Sequence, residues 1–160
     1  MQLSRAWLRR AWPAYAAATL AFASAAVSLF WTLGGTFLLD TVGESLEDLA
    51  RERSVRAFAL GTTVIVLKVA SGLLALALVR PWGTRLGRRL LLTANWIGSA
   101  ILLLWGGTSI IAGALVLSNV ITPSEPVDER ALRFHVFLWD LWFVVWGAAL
   151  ALATARRRRQ

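Results

Sequence analysis

A chain of 160 residues that is 58% hydrophobic and only 16% charged has a mean hydropathy of +0.62. That is more than the surface of a soluble domain of this size tolerates. The formal charge of +8 does not indicate nucleic-acid binding, because the basic residues stand in short clusters beside apolar runs. Cysteine is absent and His135 is the single histidine, which excludes disulfides, thiolate chemistry and a multi-histidine metal or haem site, so no cofactor is predicted.

Four apolar segments are each long enough to cross about 30 Å of hydrocarbon at about 1.5 Å per residue. They cover residues 14–39, 57–79, 90–120 and 134–154, and the connecting segments carry charges, Pro or Gly. In the loop over residues 40–56, charged residues recur at spacings of three and four, which predicts a short charged helix. The sequence therefore predicts an all-α fold, a polytopic membrane protein with one domain, residues 1–160, that is a four-transmembrane-helix bundle.

The arginines predict how this bundle is oriented. Eleven of them flank the side with the termini: Arg5, Arg9, Arg10, Arg80, Arg85, Arg88, Arg89 and Arg156 to Arg159. The other side has five, diluted by eight acids that include Glu44 and Glu125. Positive residues favour the cytoplasmic side, so both termini are predicted to be cytoplasmic (N-in/C-in).

Residue usage predicts the source and the compartment. Sixteen Arg stand against one Lys, a bias typical of GC-rich bacterial genomes, and the expected location is the bacterial plasma (inner) membrane. A signal peptide cleaved near Ala23-Ser24-Ala25 is the alternative interpretation of the first segment. The apolar run continues to Leu39, which favours a span that is retained.

Two ionisable residues lie inside the predicted spans. Lys68 is at the middle of the second segment and Asp140 is about six residues inside the fourth. A charge at such depth costs several kcal/mol unless it is paired or wetted. Two interpretations stay open: a buried Lys68–Asp140 ion pair that fixes helix register, or a pair that lines a path for a substrate or for protons.

The fourth segment is rich in aromatic residues around Asp140. On an α-helix its residues form two neighbouring faces: His135, Trp139, Trp142 and Trp146 on one, and Val136, Asp140, Phe143 and Gly147 on the other. Aromatic faces stabilise cations, so an acid among them suits acid-initiated chemistry on a lipophilic olefin or epoxide. The alternative is an ordinary aromatic belt combined with helix packing.

The first segment ends with Trp31, Gly34, Gly35 and Asp40 at the same predicted outer level. The glycine pair allows a neighbouring backbone or a ligand to approach closely. If the first and fourth helices are neighbours, these residues and Glu44 converge with His135 and Asp140 at the outer mouth of the bundle.

Three sequence motifs together resemble a known family. They are Phe30-Trp31-Thr32-Leu33-Gly34-Gly35 ending at Asp40, the basic turn Arg80-Pro81-Trp82-Gly83, and Arg133-Phe134-His135 followed by Trp139-Asp140-Leu141-Trp142-Phe143 and Trp146-Gly147. The combination resembles a bacterial four-helix membrane family, domain of unknown function 3995, over nearly the whole chain. The resemblance implies the topology and draws attention to these residues, but it implies no reaction.

Three functions remain open. The favoured one is a pocket for an isoprenoid or sterol-like lipid, with acid-catalysed cyclisation or isomerisation by Asp140, in which Lys68 and His135 are further candidate catalytic residues. The candidate substrate-binding residues are Trp31, Trp139, Trp142, Phe143, Gly34, Gly35 and Asp40. The alternatives are an oligomeric proton- or ion-coupled transporter using Lys68 and Asp140, and a non-catalytic accessory protein. The expected partners are membrane lipids, a lipophilic ligand and a second copy of the chain, but no nucleic acid.

Overall fold

The computed structural model describes the backbone of residues 2–124 and 127–158, with the side chains of those residues except 2–10 and 44–46. Its helices are α1 (Gln2–Thr32), α2 (Glu44–Glu52), α3 (Val55–Ala77), α4 (Arg88–Leu117), α5 (Glu129–Phe134) and α6 (Asp140–Arg158). Short 3-10 turns cover Leu39–Thr41 and Pro81–Leu86, and a π-helical segment covers His135–Trp139. Of the charges used to predict orientation, Arg5, Arg9, Arg10, Glu44, Glu125 and Arg159 lie outside the described side chains.

Four helical stretches are long and apolar enough to cross a membrane: Ala11–Thr32, Val55–Ala77, Arg88–Leu117 and Glu129–Arg158. The last one runs through α5, the π-helical segment and α6 without a break. The chain is therefore an all-helical, multi-pass membrane protein, and the predicted four-helix architecture is confirmed. The predicted charged loop helix is present as α2.

The first span ends at Thr32, whereas its apolar run continues to Leu39. The cause is a Schellman cap: Gly34 N–H donates to the Trp31 carbonyl and Gly35 N–H donates to the Phe30 carbonyl. Gly34 has φ +99°, a conformation that side chains with a Cβ rarely adopt. The glycine pair therefore stops the helix, and residues 33–38 turn back across the end of the bundle.

Around the bundle, α1 packs between α3 and α6, and α4 packs on the far side of α6. The first and fourth spans are therefore neighbours, which is the condition that their convergence at the outer mouth required. Contact between α3 and α4 is sparse, and an Asn95 Nδ2 hydrogen bond to the Leu74 carbonyl joins them. We call the end where α1 begins and α6 ends, which also holds the 81–86 turn, the terminal end, and the end that holds α2 and α5 the loop end.

The terminal half of the bundle is solidly packed by alanines. Ala14, Ala17 and Ala21 of α1 and Ala75 of α3 are all 0% exposed, and the last three share one core cluster with Leu150 of α6. Small side chains let helices in a membrane approach closely. Three polar groups also buried here donate to backbone carbonyls: Asn95, Ser99 and Thr154.

Glycines close the interface between α4 and α6. A Cβ at Gly106 would meet the carbonyl oxygen of Asp140, and one at Gly113 would meet the Val136 side chain. The Ser99 hydroxyl donates to the Gly147 carbonyl across the same interface at 2.9 Å. This close packing against α4 fixes the position of the helix that carries Asp140.

Candidate functional site

A cavity of about 640 Å³ lies in the loop half of the bundle. Its walls come from α1, α3 and α6, and Leu49 and Ala50 of α2 cover its loop end. Phe58, Val64 and Trp105 line it and are also exposed on the surface of the bundle. Phe58 and Val64 belong to α3 and Trp105 belongs to α4, and these two helices make few contacts with each other, so we infer that the exposed side of the cavity lies between them.

The α3 wall is recessed because of the residues that form it. Ala57, Gly61, Val64 and Lys68 follow one another at spacings of four, three and four, so they share one face of α3. All four line the cavity. Ala57 and Val64 have short side chains and leave space in front of them, whereas Gly61 is covered by Thr32 of α1, whose side chain a Cβ at Gly61 would meet.

Lys68 lies on the terminal side of this cavity and is bound by α1. Its Nζ donates to Ser28 Oγ at 2.7 Å and, more weakly, to the Ser24 carbonyl at 3.4 Å. Both serines also line the cavity. Among the described residues, no carboxylate lies within salt-bridge distance of Lys68, so the predicted Lys68–Asp140 ion pair is wrong.

Asp140 instead contacts His135, whose Nδ1 lies 3.3 Å from Asp140 Oδ2. Asp140 is 3% exposed, and both residues line the cavity. On an α-helix, residues five apart point about 140° away from each other. Here the Asp140 N–H donates to the His135 carbonyl, which is the hydrogen bond of a π-helix, and the wider turn brings the two side chains onto one face.

This pair places a proton donor and a proton acceptor side by side at the wall of an apolar space. A protonated carboxyl group can pass a proton to a neighbouring imidazole, and a carboxylate can take one from an imidazolium, which is the basic requirement for general acid–base chemistry. The two faces predicted from α-helical geometry are therefore wrong at this point, because the π-helical segment shifts the register between them.

Three tryptophans form the wall beside this pair, and each indole N–H makes a hydrogen bond. Trp31 Nε1 donates to the Phe37 carbonyl at 2.9 Å. Trp139 Nε1 donates to the hydroxyl of the fully buried Thr41 at 3.1 Å, and Trp142 Nε1 donates to the Leu20 carbonyl at 3.2 Å. Trp31 and Trp139 meet edge to face with ring centroids 5.4 Å apart. This wall is therefore a fixed surface.

Arg53 stands at the rim of the loop end. It follows α2 with a left-handed φ of +50°, and its guanidinium lies 3.5 Å from the Gly34 carbonyl. A smaller pocket of about 230 Å³ lies beside it, between Trp31, Gly35 and α2. Within the described part of the chain, no group of three or more His, Asp or Glu side chains is placed to hold a metal ion.

The sequence model of one family, described as "Protein of unknown function (DUF3995)", matches residues 21–150. The chain belongs to this DUF3995 family. No curated protein and no solved structure matched it. The matched region includes the whole cavity lining and every candidate site residue, so the site lies within the DUF3995 region.

Most of the candidate residues of this DUF3995 protein meet at the cavity. Its lining includes Asp140, Lys68, His135, Trp31, Trp139, Trp142, Phe143 and Gly34. Gly35 lines the smaller pocket and ends α1. Asp40 is not at the cavity: its carboxylate pairs with Arg130 at 2.8 Å on the surface and ties the 39–41 turn to α5, so its predicted place in the site is wrong.

Several lining residues were not recognised from the sequence. Ser24, Ser28 and Thr32 recur every four residues, which puts them on one face of α1, and this polar stripe is a signal that sequence reasoning could have used. The recessed α3 face carries a similar signal in its small residues. The π-helical segment has no comparable sequence signature.

Proposed function

We propose that this protein binds a lipophilic molecule, an isoprenoid or sterol-like lipid, in the cavity, and that the ligand enters sideways from the membrane. The observation that carries the proposal is the cavity of about 640 Å³ with its opening between α3 and α4. Its volume is in the range typical of small-molecule sites, and its lining is mostly apolar with a few convergent polar groups.

The proposal also assigns an orientation. The arginine clusters at the terminal end favour the cytoplasmic side, so the cavity opens to the outer leaflet, and the host membrane is a bacterial inner membrane. The packed terminal half supports binding over conduction, because alanines fill it and the donors of Asn95, Ser99 and Thr154 all bond to backbone carbonyls. Asn95 Oδ1 and Trp146 Nε1 are buried there without a partner among the described residues. Gly106, Gly113 and Gly147 pack inside one chain, so an oligomer is not needed to explain them.

We also propose a reaction, the acid-catalysed conversion of the bound lipid. Asp140 protonates an olefinic carbon or an epoxide oxygen of the bound lipid, and Trp31, Trp139 and Trp142 stabilise the carbocation that forms. Loss of a proton from a neighbouring carbon ends the reaction, and His135 takes part in moving that proton back to Asp140. Support comes from the His135–Asp140 contact and from the fixed aromatic wall next to it. Isomerisation or cyclisation of an isoprenoid needs these elements.

Mass spectrometry of lipids that co-purify with the full chain tests binding. The wild type should carry one lipid class well above its share in the host membrane, and Val64→Trp should lose it because the indole occupies the cavity. Val66→Trp is the matched control, since Val66 is an exposed α3 residue outside the cavity lining. If all three proteins carry only the average membrane lipids, the proposed binding function is wrong.

The chemistry has a separate test. Wild type and Asp140→Asn are incubated with the co-purified lipid fraction, and chromatography coupled to mass spectrometry separates isomers. Only the wild type should change the isomer profile. Identical profiles would remove the catalytic role of Asp140 and leave the binding proposal in place.

A further inference from the structure

The charges that face the cavity are not balanced. Among its described lining residues, Lys68 and Arg53 are cations and Asp140 is the one acid, and Asp140 is already in contact with His135. The partners of Lys68 are a hydroxyl and a backbone carbonyl, both neutral. An ammonium within a membrane span is costly without a counter-ion, and the cavity therefore lacks one negative charge.

The unused hydrogen-bonding groups at Lys68 are donors. An ammonium has three N–H donors, and Ser28 Oγ and the Ser24 carbonyl accept two of them. Since Ser28 Oγ accepts from Lys68, its own O–H is left to donate, and no acceptor for it is found among the described residues. One N–H of Lys68 and the O–H of Ser28 thus remain as neighbouring free donors. A ligand group that accepts two hydrogen bonds would satisfy both.

We infer that the cavity selects lipids with an acidic end, a carboxylate or a phosphate, whose oxygens accept from Lys68 Nζ and Ser28 Oγ. The inference rests on the proposed function and names the class of ligand for the same site. The apolar chain then passes the α3 face at Val64 and leaves between α3 and α4. Arg53, at the rim, favours the approach of the same negative charge.

A neutral lipid fits these groups less well. An alcohol accepts through one oxygen and brings a donor of its own to a place that already has two donors, and it leaves the ammonium without a counter-ion. Hydrogen bonds between charged partners are roughly twice as strong as neutral ones. The acid should therefore bind roughly tenfold or more tightly than an alcohol with the same chain.

The test uses three fluorescent probes that share one long alkyl chain and end in a carboxylate, a phosphate or a primary alcohol. Their dissociation constants are measured with the purified full chain in nanodiscs of neutral lipid. The wild type should prefer an acidic probe by roughly tenfold or more, and whichever of the two acids binds more tightly identifies the head group. Lys68→Met should weaken binding of the acids much more than binding of the alcohol, so that the preference for acids is lost.

Two further variants keep the result interpretable. Lys68→Arg keeps the charge and should retain the preference for acids, whereas Ser28→Ala removes one donor and should reduce it by a smaller factor. Equal wild-type affinities for acid and alcohol, or an unchanged preference in Lys68→Met, would overturn this inference while the lipid-binding proposal stands. If none of the probes binds and no lipid co-purifies, the proposed function itself fails.

Discussion

The two halves of this bundle are built from the same helices but differ in what fills the space between them. In the terminal half, alanines from α1 and α3 pack directly against α6, and Ala17, Ala21 and Ala75 are completely buried. In the loop half, α1 presents Ser24, Ser28 and Trp31, and a cavity of about 640 Å³ takes the place of a core. Small side chains close a helix bundle, whereas large fixed rings and a recessed face keep it open.

The largest expected effect comes from placing the same substitution, alanine to leucine, once in each half of α3. Ala75→Leu adds a bulky side chain where Ala75 is 0% exposed, and overpacking should lower the free energy of unfolding by about 1–3 kcal/mol. Ala57→Leu adds the same side chain at the wall of the cavity, where space exists. Thermal unfolding of both variants in detergent measures the difference. Equal destabilisation would contradict the hollow loop half.

The next largest effect on stability is expected at the Schellman cap that ends α1. This cap separates the membrane span from the segment at the loop end of the cavity. Gly34→Ala forces a Cβ into a backbone with φ +99° and 2.8 Å from the Arg53 guanidinium. We expect a loss of about 1–2 kcal/mol in unfolding free energy. Gly107→Ala is the control, because a Cβ at Gly107 meets nothing within 4 Å, and it should be neutral or slightly stabilising. Similar melting curves for the two variants would refute the role of the cap.

The smallest expected effect on stability concerns the indole ring of Trp142, which connects the two halves. Trp142 lines the cavity and donates through Nε1 to the Leu20 carbonyl in the packed region. Trp142→Phe keeps most of the ring and loses this bond, which should cost about 0.5–1.5 kcal/mol of unfolding free energy. The matched control is Trp105→Phe, at an exposed residue whose indole N–H has no acceptor in the described part of the chain. Chemical denaturation measures both, and a larger loss in Trp105→Phe would argue against Trp142 as the connection.

Sequence reasoning located most of the site but paired its charges wrongly. Depth alone marked Lys68 and Asp140 as unusual, because any charge so far inside a span needs a partner. Which partner it finds depends on rotamers and helix register. Lys68 reaches the serine stripe of α1, and Asp140 reaches His135 through a π-helical turn.

The prediction for Asp40 failed for a related reason. Its position in the sequence, at the end of an apolar run, suggested the mouth of the site. The Schellman cap at Gly34 and Gly35 ends α1 one to two turns earlier than the hydropathy does. The chain then folds across the bundle end, and Asp40 meets Arg130 at the surface instead of the cavity.

By itself the sequence determined the environment and the architecture of this protein. Four apolar stretches of sufficient length leave helices as the practical way to satisfy the backbone in lipid, and the motifs around Trp31 and Asp140 identified the family. Only the tertiary structure decided that the bundle is solid at one end and hollow at the other, and that His135 touches Asp140. Those features depend on which faces meet and on one extra residue in a helical turn, and neither changes the hydropathy of the chain.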